Sequence, residues 1–316
     1  MTEKTFEEIV QKSTLEDVWK QSADPKSAFN MIQRVAALKL IHYFLGDQWY
    51  ERCLARSTPD FSDPRYLRLL RSSSPAKHPL NELLWTGQPS DIINIINLGL
   101  ALKVLCIEYP ESGVESRIAD LRSVDYFKYF FELKVGLTYA NLGFNVRYLD
   151  KRDTRTPEML VRGIKNYQSY VECKKRNPDS SSNLKQKANG VLDRIRDANS
   201  QFKSVSGMGI TWVEVDSGLK KNGPELTTYL EYVLAELHFL TNTQCVLICS
   251  ENVRSDDDLV LYSTSVTGVP NPSVQPTVPR ELWCNPERLG RGTIRSIVDY
   301  PGAEHPNIDV SLWYLT

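Results

Sequence analysis

Leu184, Ala188, Val191, Ile195, Ala198 and Phe202 recur at steps of four, three, four, three and four, which lays a single apolar stripe along one long helix. The run SYVECK (169–174) precedes this helix and GITWVEV (209–215) follows it, and both have the β-branched, aromatic-rich composition of buried strands. A helix that must bury one face, held between two apolar strands, has to lie against the sheet those strands build. The remaining pattern from residue 120 extends the unit. Leu121, Val124, Phe127, Phe131, Val135 and Leu142 predict an amphipathic helix ending at Gly143, a residue suited to the left-handed position after a helix end. FNVRYL (144–149) and PEMLV (157–161) predict two strands, and RGIKN (162–166) predicts the turn of an antiparallel hairpin between PEMLV and SYVECK. A helix opening at Pro224, with Leu230, Val233, Leu234 and Leu237 inward, leads into the apolar strand QCVLICS (244–250). The order helix, strand, strand, strand, helix, strand, helix, strand predicts an α/β fold, a mixed sheet flanked by helices.

The flanks read differently. Phe29, Ile32, Ala36 and Leu40 mark one helix near the N-terminus and Ser90-Asp91 caps a second, while residues 56–80, rich in Ser, Pro, Arg and Lys, read as a loop. Beyond the core, LVLYSTSV (259–266) predicts another strand, followed by a Pro-rich loop and the closing run NIDVSLWYL (307–315). The expected organisation is a helical N-terminal region for recognition or assembly (1–119), a core (120–250) and a β-rich C-terminal extension (251–316).

Composition excludes several function classes. With 38 basic and 39 acidic residues the formal charge is -1, so no global field draws the chain onto a polyanion and any such site must be local. The six cysteines form no CxxC pair and no Cys/His cluster at zinc spacing, which argues against a disulfide framework or structural zinc. The acidic, polar start MTEKTFEEIVQKS lacks the features of a signal peptide, and the most apolar segment, Ile92 to Ile107, is broken by Asn94, Asn97 and Lys103. A cytoplasmic protein with reduced thiols and no membrane partner is therefore expected. GMG (207–209) lacks the spacing of a nucleotide-binding loop. The histidines are dispersed, and His238, on an apolar helix, reads as a packed side chain.

The chemistry concentrates in YVECKKR (170–176). Strand alternation puts Glu172 and Lys174 on one face and Val171 and Cys173 on the other. A hairpin centred near Lys165 would set Glu158 opposite Glu172, and facing carboxylates destabilise a sheet unless a cation lies between them. Mg²⁺ favours such hard oxygen donors. A lysine beside them would orient a nucleophile or offset charge developing on phosphorus. The plain alternative is an exposed edge strand whose surface charge pair is worth ~0 to 1 kcal/mol.

Pro157-Glu158 followed by Glu172-Cys173-Lys174, in the order helix, three strands, helix, strand, resembles the PD-(D/E)XK, or restriction endonuclease-like, nuclease superfamily. Glutamate stands where the first half-motif usually has aspartate, which leaves Asp153 as a competitor for that role. The resemblance covers roughly residues 120–250. It implies a metal-dependent nuclease, an endonuclease acting on DNA, with a place in restriction or defence against foreign DNA. Glu158, Glu172 and the carbonyl of Cys173 would hold Mg²⁺ or Mn²⁺, Lys174 would assist the attacking water, and Glu132 in the preceding helix would support the metal. Phosphate contacts would come from Lys175 and Arg176 and from the helix carrying Lys185, with Gln186 or Gln201 near the site. By the same resemblance, a homodimer or an accessory subunit is the expected assembly. The alternative is a nuclease-fold protein without catalysis, acting as a nucleic-acid-binding or scaffold module.

Overall fold

The computed structural model describes residues 4–21, 25–54, 89–123, 125–150, 155–163, 167–175, 183–215, 223–256 and 259–276. The expected loop at 56–80, Asp153, Arg176 and the closing run all lie outside them. The chain divides into two compact units, one running to Leu137 and the other from Thr138.

The first unit is helical: α1 (Phe6–Ile9), α2 (Lys12–Gln21), α3 (Pro25–Leu45), α4 (Asp47–Leu54), α5 (Pro89–Leu102), α6 (Glu115–Asp120) and the start of α7 (Tyr126–Asn141). Ile32, Ala36 and Leu40 are buried on α3, as their spacing predicts, and α3 packs against α5. The apolar segment after Ile92 forms α5 and continues into a π-helical turn, Lys103–Glu108. No helix among the described residues is long and apolar enough to cross a membrane.

The predicted helix over 121–142 is divided. Leu121 closes α6, and α7 begins at Tyr126, which leaves Phe127 in its first turn and 40 % exposed. Its other end is as expected. Gly143 takes φ +82°, its N–H bonds the Ala140 carbonyl, and the Phe144 N–H bonds the Tyr139 carbonyl. The Phe144 ring then meets Tyr139 edge-on at 5.9 Å. This is the double hydrogen bond and apolar clasp of a left-handed helix stop, and it turns the chain straight into the sheet.

The second unit is a mixed sheet of six strands among the described residues, in the order β1 (Asn145–Tyr148), β2 (Met159–Arg162), β3 (Gln168–Lys175), β4 (Gly209–Glu214), β5 (Thr243–Asp256) and β6 (Leu259–Pro270). β1, β2 and β3 form an antiparallel meander. β3, β4 and β5 are parallel, joined through α8 (Leu184–Ser204) and α9 (Pro224–Glu236), because parallel neighbours need a crossover. β6 returns antiparallel to β5, so the expected boundary at residue 250 falls inside a strand of the core sheet.

One face of the sheet packs on both helices. Ala188, Val191 and Ile195 of α8 and Leu226, Tyr229 and Val233 of α9 enclose Val213, Val246, Ile248 and Val269. Leu237 is buried as predicted, but Leu234 points outward and is 57 % exposed, since α9 turns only one stripe inward. His238 is also exposed: it lies in a single 3₁₀ turn, Leu237–Phe239, where its ring meets Phe239 tilted by 42° rather than packing into a helix face. On the opposite sheet face Trp212 Nε1 donates to the Tyr139 hydroxyl at 2.9 Å.

The GMG run has a packing role. A Cβ on Gly209 would lie 2.3 Å from the Phe202 ring, which is itself fully buried at the end of the α8 stripe. Gly209→Ala is expected to destabilise the protein by about 1 to 3 kcal/mol through overpacking, read as a lowered urea midpoint.

Burial also gives the unit an alkaline limit. It pushes the Cys245 thiol up to about 12 and the Tyr167 phenol to about 12, and raises Tyr139 well above its ordinary value. The neutral forms belong to the folded state, whereas the unfolded chain ionises its thiols near 8.5 and its phenols near 10. This stabilisation is therefore complete below those values and lost as pH rises toward 12. Urea midpoints measured from pH 8 upward should fall across that window, with tyrosinate absorbance rising together with loss of structure.

Candidate active site

The β2/β3 ladder pairs Met159 with Val171, Leu160 with Tyr170, Val161 with Ser169 and Arg162 with Gln168. Extending it by one residue sets Glu158 opposite Glu172, the register a turn centred near Lys165 predicts. Met159, Val161, Val171 and Cys173 share the opposite face and are buried, and slipping either strand by one residue would carry its apolar pair to the face that holds the carboxylates.

The two carboxylates are not a surface pair. Glu158 is 2 % exposed and Glu172 1 %, and β3 lies between β2 and β4, so the reading of an exposed edge strand is overturned. Each glutamate reaches across the ladder to the other's strand. The Glu158 N–H donates to Glu172 Oε2 at 3.2 Å, and the Cys173 N–H donates to Glu158 Oε2 at 3.4 Å. Lys174 Nζ lies 2.6 Å from Glu172 Oε1 and donates to Gln201 Oε1 at 2.8 Å. Gln201 comes from α8, whose apolar stripe turns this residue toward β3. Two carboxylates and one ammonium leave these three side chains with a net charge of about -1 when all are ionised, in a setting that screens charge poorly.

The other expected contacts separate. Gln186 serves the start of α8: its side chain accepts from the Asn183 N–H at 2.9 Å while the Asn183 side chain accepts from the Gln186 N–H. That places it fifteen residues, or roughly 22 Å, along the helix from Gln201. Lys185 is exposed in the same first turn. Lys175 pairs with the buried Glu214 of β4 at 2.7 Å, on the sheet face opposite Lys174. Glu132 belongs to the first unit, where it is fully buried with Oε2 2.8 Å from Nε of the equally buried Arg117. No local spacing around Glu132 signals this partner, since Arg117 sits on a different helix.

Thr211 is a residue the sequence pattern did not single out. It is the β4 register partner of Glu172, points to the same face, and is fully buried. Its only signal in the sequence is a hydroxyl at an inward position of GITWVEV.

Among the described residues no group of three His, Cys, Asp or Glu side chains is arranged to hold a metal ion. The two carboxylates are hard oxygen donors of the kind that binds Mg²⁺ together with water or phosphate. No family model, curated protein or solved structure matches the chain.

Lys174→Met is expected to destabilise the protein by roughly 3 kcal/mol in urea unfolding, because removing one partner of a buried ion pair leaves the other uncompensated. Lys174→Arg should keep most of that stability.

Proposed function

We propose that the protein is a metal-dependent nuclease of the PD-(D/E)XK type, hydrolysing phosphodiester bonds in DNA. The observation that carries this reading is the pair of buried carboxylates, Glu158 and Glu172, locked by each other's strand and joined by Lys174. Burying two like charges side by side is unfavourable, and evolution toward stability alone would favour apolar residues of similar volume. The order helix, three strands, helix, strand, with the first acid entering the second strand and the acid-x-Lys triplet on the third, is the order the family's core has.

Glu158, Glu172 and the Cys173 carbonyl would hold Mg²⁺ or Mn²⁺. When bound, such an ion would polarise a phosphoryl oxygen and make a nearby water more acidic. The ammonium of Lys174, steered by Gln201, orients the attacking water and offsets negative charge that develops on the phosphoryl oxygens. In the hydrolysis the water oxygen bonds to phosphorus as it gives up a proton, one ester P–O bond breaks, and the departing oxygen takes up a proton. Glu132, which the resemblance adds as a support of the metal, is ion-paired with Arg117 in the first unit.

The test is cleavage of closed-circular, linear and single-stranded DNA, with an RNA control, in Mg²⁺, Mn²⁺ or EDTA. Wild type should nick or linearise the circle only with metal, and Glu172→Gln and Lys174→Ala should each lose at least about 100-fold in rate. If wild type cuts nothing, Mn²⁺ calorimetry decides: binding abolished by Glu172→Gln retains a metal site, whereas no binding leaves a nucleic-acid-binding or scaffold module.

A further inference from the structure

Thr211 carries a buried hydroxyl for which no protein group among the described residues serves as hydrogen-bond partner. A buried hydroxyl with no partner of any kind would be a net cost to folding. Valine has nearly the same shape and would avoid that cost. The neighbouring inward positions follow that logic: Val213, two residues along β4, and Val246, the register partner of Thr211 on β5, are both fully buried and apolar. On the other side the register partner is Glu172, and adjacent strands lie only about 4.8 Å apart. A donor thus stands beside a buried acceptor-only group, on the face that also carries Lys174.

We propose that Thr211 is a positioning residue of the candidate site, its hydroxyl holding the Glu172 carboxylate through one bridging water. This inference rests on the functional reading above only for its consequence in metal binding, and the link between Thr211 and Glu172 stands apart from it. A hydroxyl can donate to the water while the carboxylate accepts from it, which satisfies both groups without displacing Lys174 from Glu172. Residues that orient a ligand in this way commonly change metal affinity by about 10-fold or more when removed.

The experiment combines Thr211→Val, Thr211→Ser, Glu172→Gln and the Val/Gln double variant. In metal-free protein, urea midpoints of the Val/Gln cycle should be non-additive, because removing either partner removes the same link. Mn²⁺ calorimetry should show affinity about 10-fold or more lower in Thr211→Val and near wild type in Thr211→Ser. An additive cycle overturns the inference, as does Thr211→Val binding Mn²⁺ like wild type. If Glu172→Gln does not fold, the Val and Ser variants alone decide through Mn²⁺ binding. Should wild type bind no Mn²⁺ while the cycle is coupled, the link between Thr211 and Glu172 stands and the nuclease reading falls.

Discussion

The register of β3 against β2 governs what this protein can do. With Met159 opposite Val171, Met159, Val161, Val171 and Cys173 face one way, while Glu158 and Glu172 face the other beside Leu160. Slipping β3 by one residue would drive Glu172 toward the side where Trp212 bonds Tyr139 and would turn Val171 and Cys173 toward α8. Hydrophobic burial therefore chooses the register, and the charged pair is a consequence of that choice. Because the glutamates are paired by the ladder itself, each can accept a backbone N–H from the other's strand.

The helix α8 completes the arrangement from the other side. Its stripe from Ala188 to Phe202 is buried, and Gly207 and Gly209 let the chain pass close to Tyr170 and Phe202 as it enters β4. Once that stripe is seated, Gln201 lies on the side of the helix near β3, and its side-chain oxygen accepts from Lys174. Side-chain placement at the site thus follows from packing some distance away, which is how a rigid scaffold holds polar groups that would otherwise relax toward solvent.

Where expectation and structure part, the cause is a long-range partner or a helix end. Phe127 and Leu234 fit an apolar period but fall off the buried stripe, Phe127 in the first turn of its helix. His238 fits the period of α9 but lies beyond its last turn, in a 3₁₀ segment that breaks the phase. Glu132 is matched in charge by Arg117 from another helix, a partner that no local spacing announces. Periodicity describes one element at a time and is blind to what a neighbouring element brings.

The sequence by itself determined the element order, the left-handed stop at Gly143, the inward stripe of α8 and the pairing of Glu158 with Glu172. All of these follow from local dihedral preference, from periodicity or from the symmetry of a short hairpin. Only the tertiary structure decided that β3 is an interior strand, that Gln201 rather than Gln186 meets Lys174, that residues 251–270 extend the core sheet, and that Thr211 lies beside Glu172. Each of these depends on contacts between residues far apart in the chain, where the order of strands and the seating of a helix are set by how the whole apolar surface is buried.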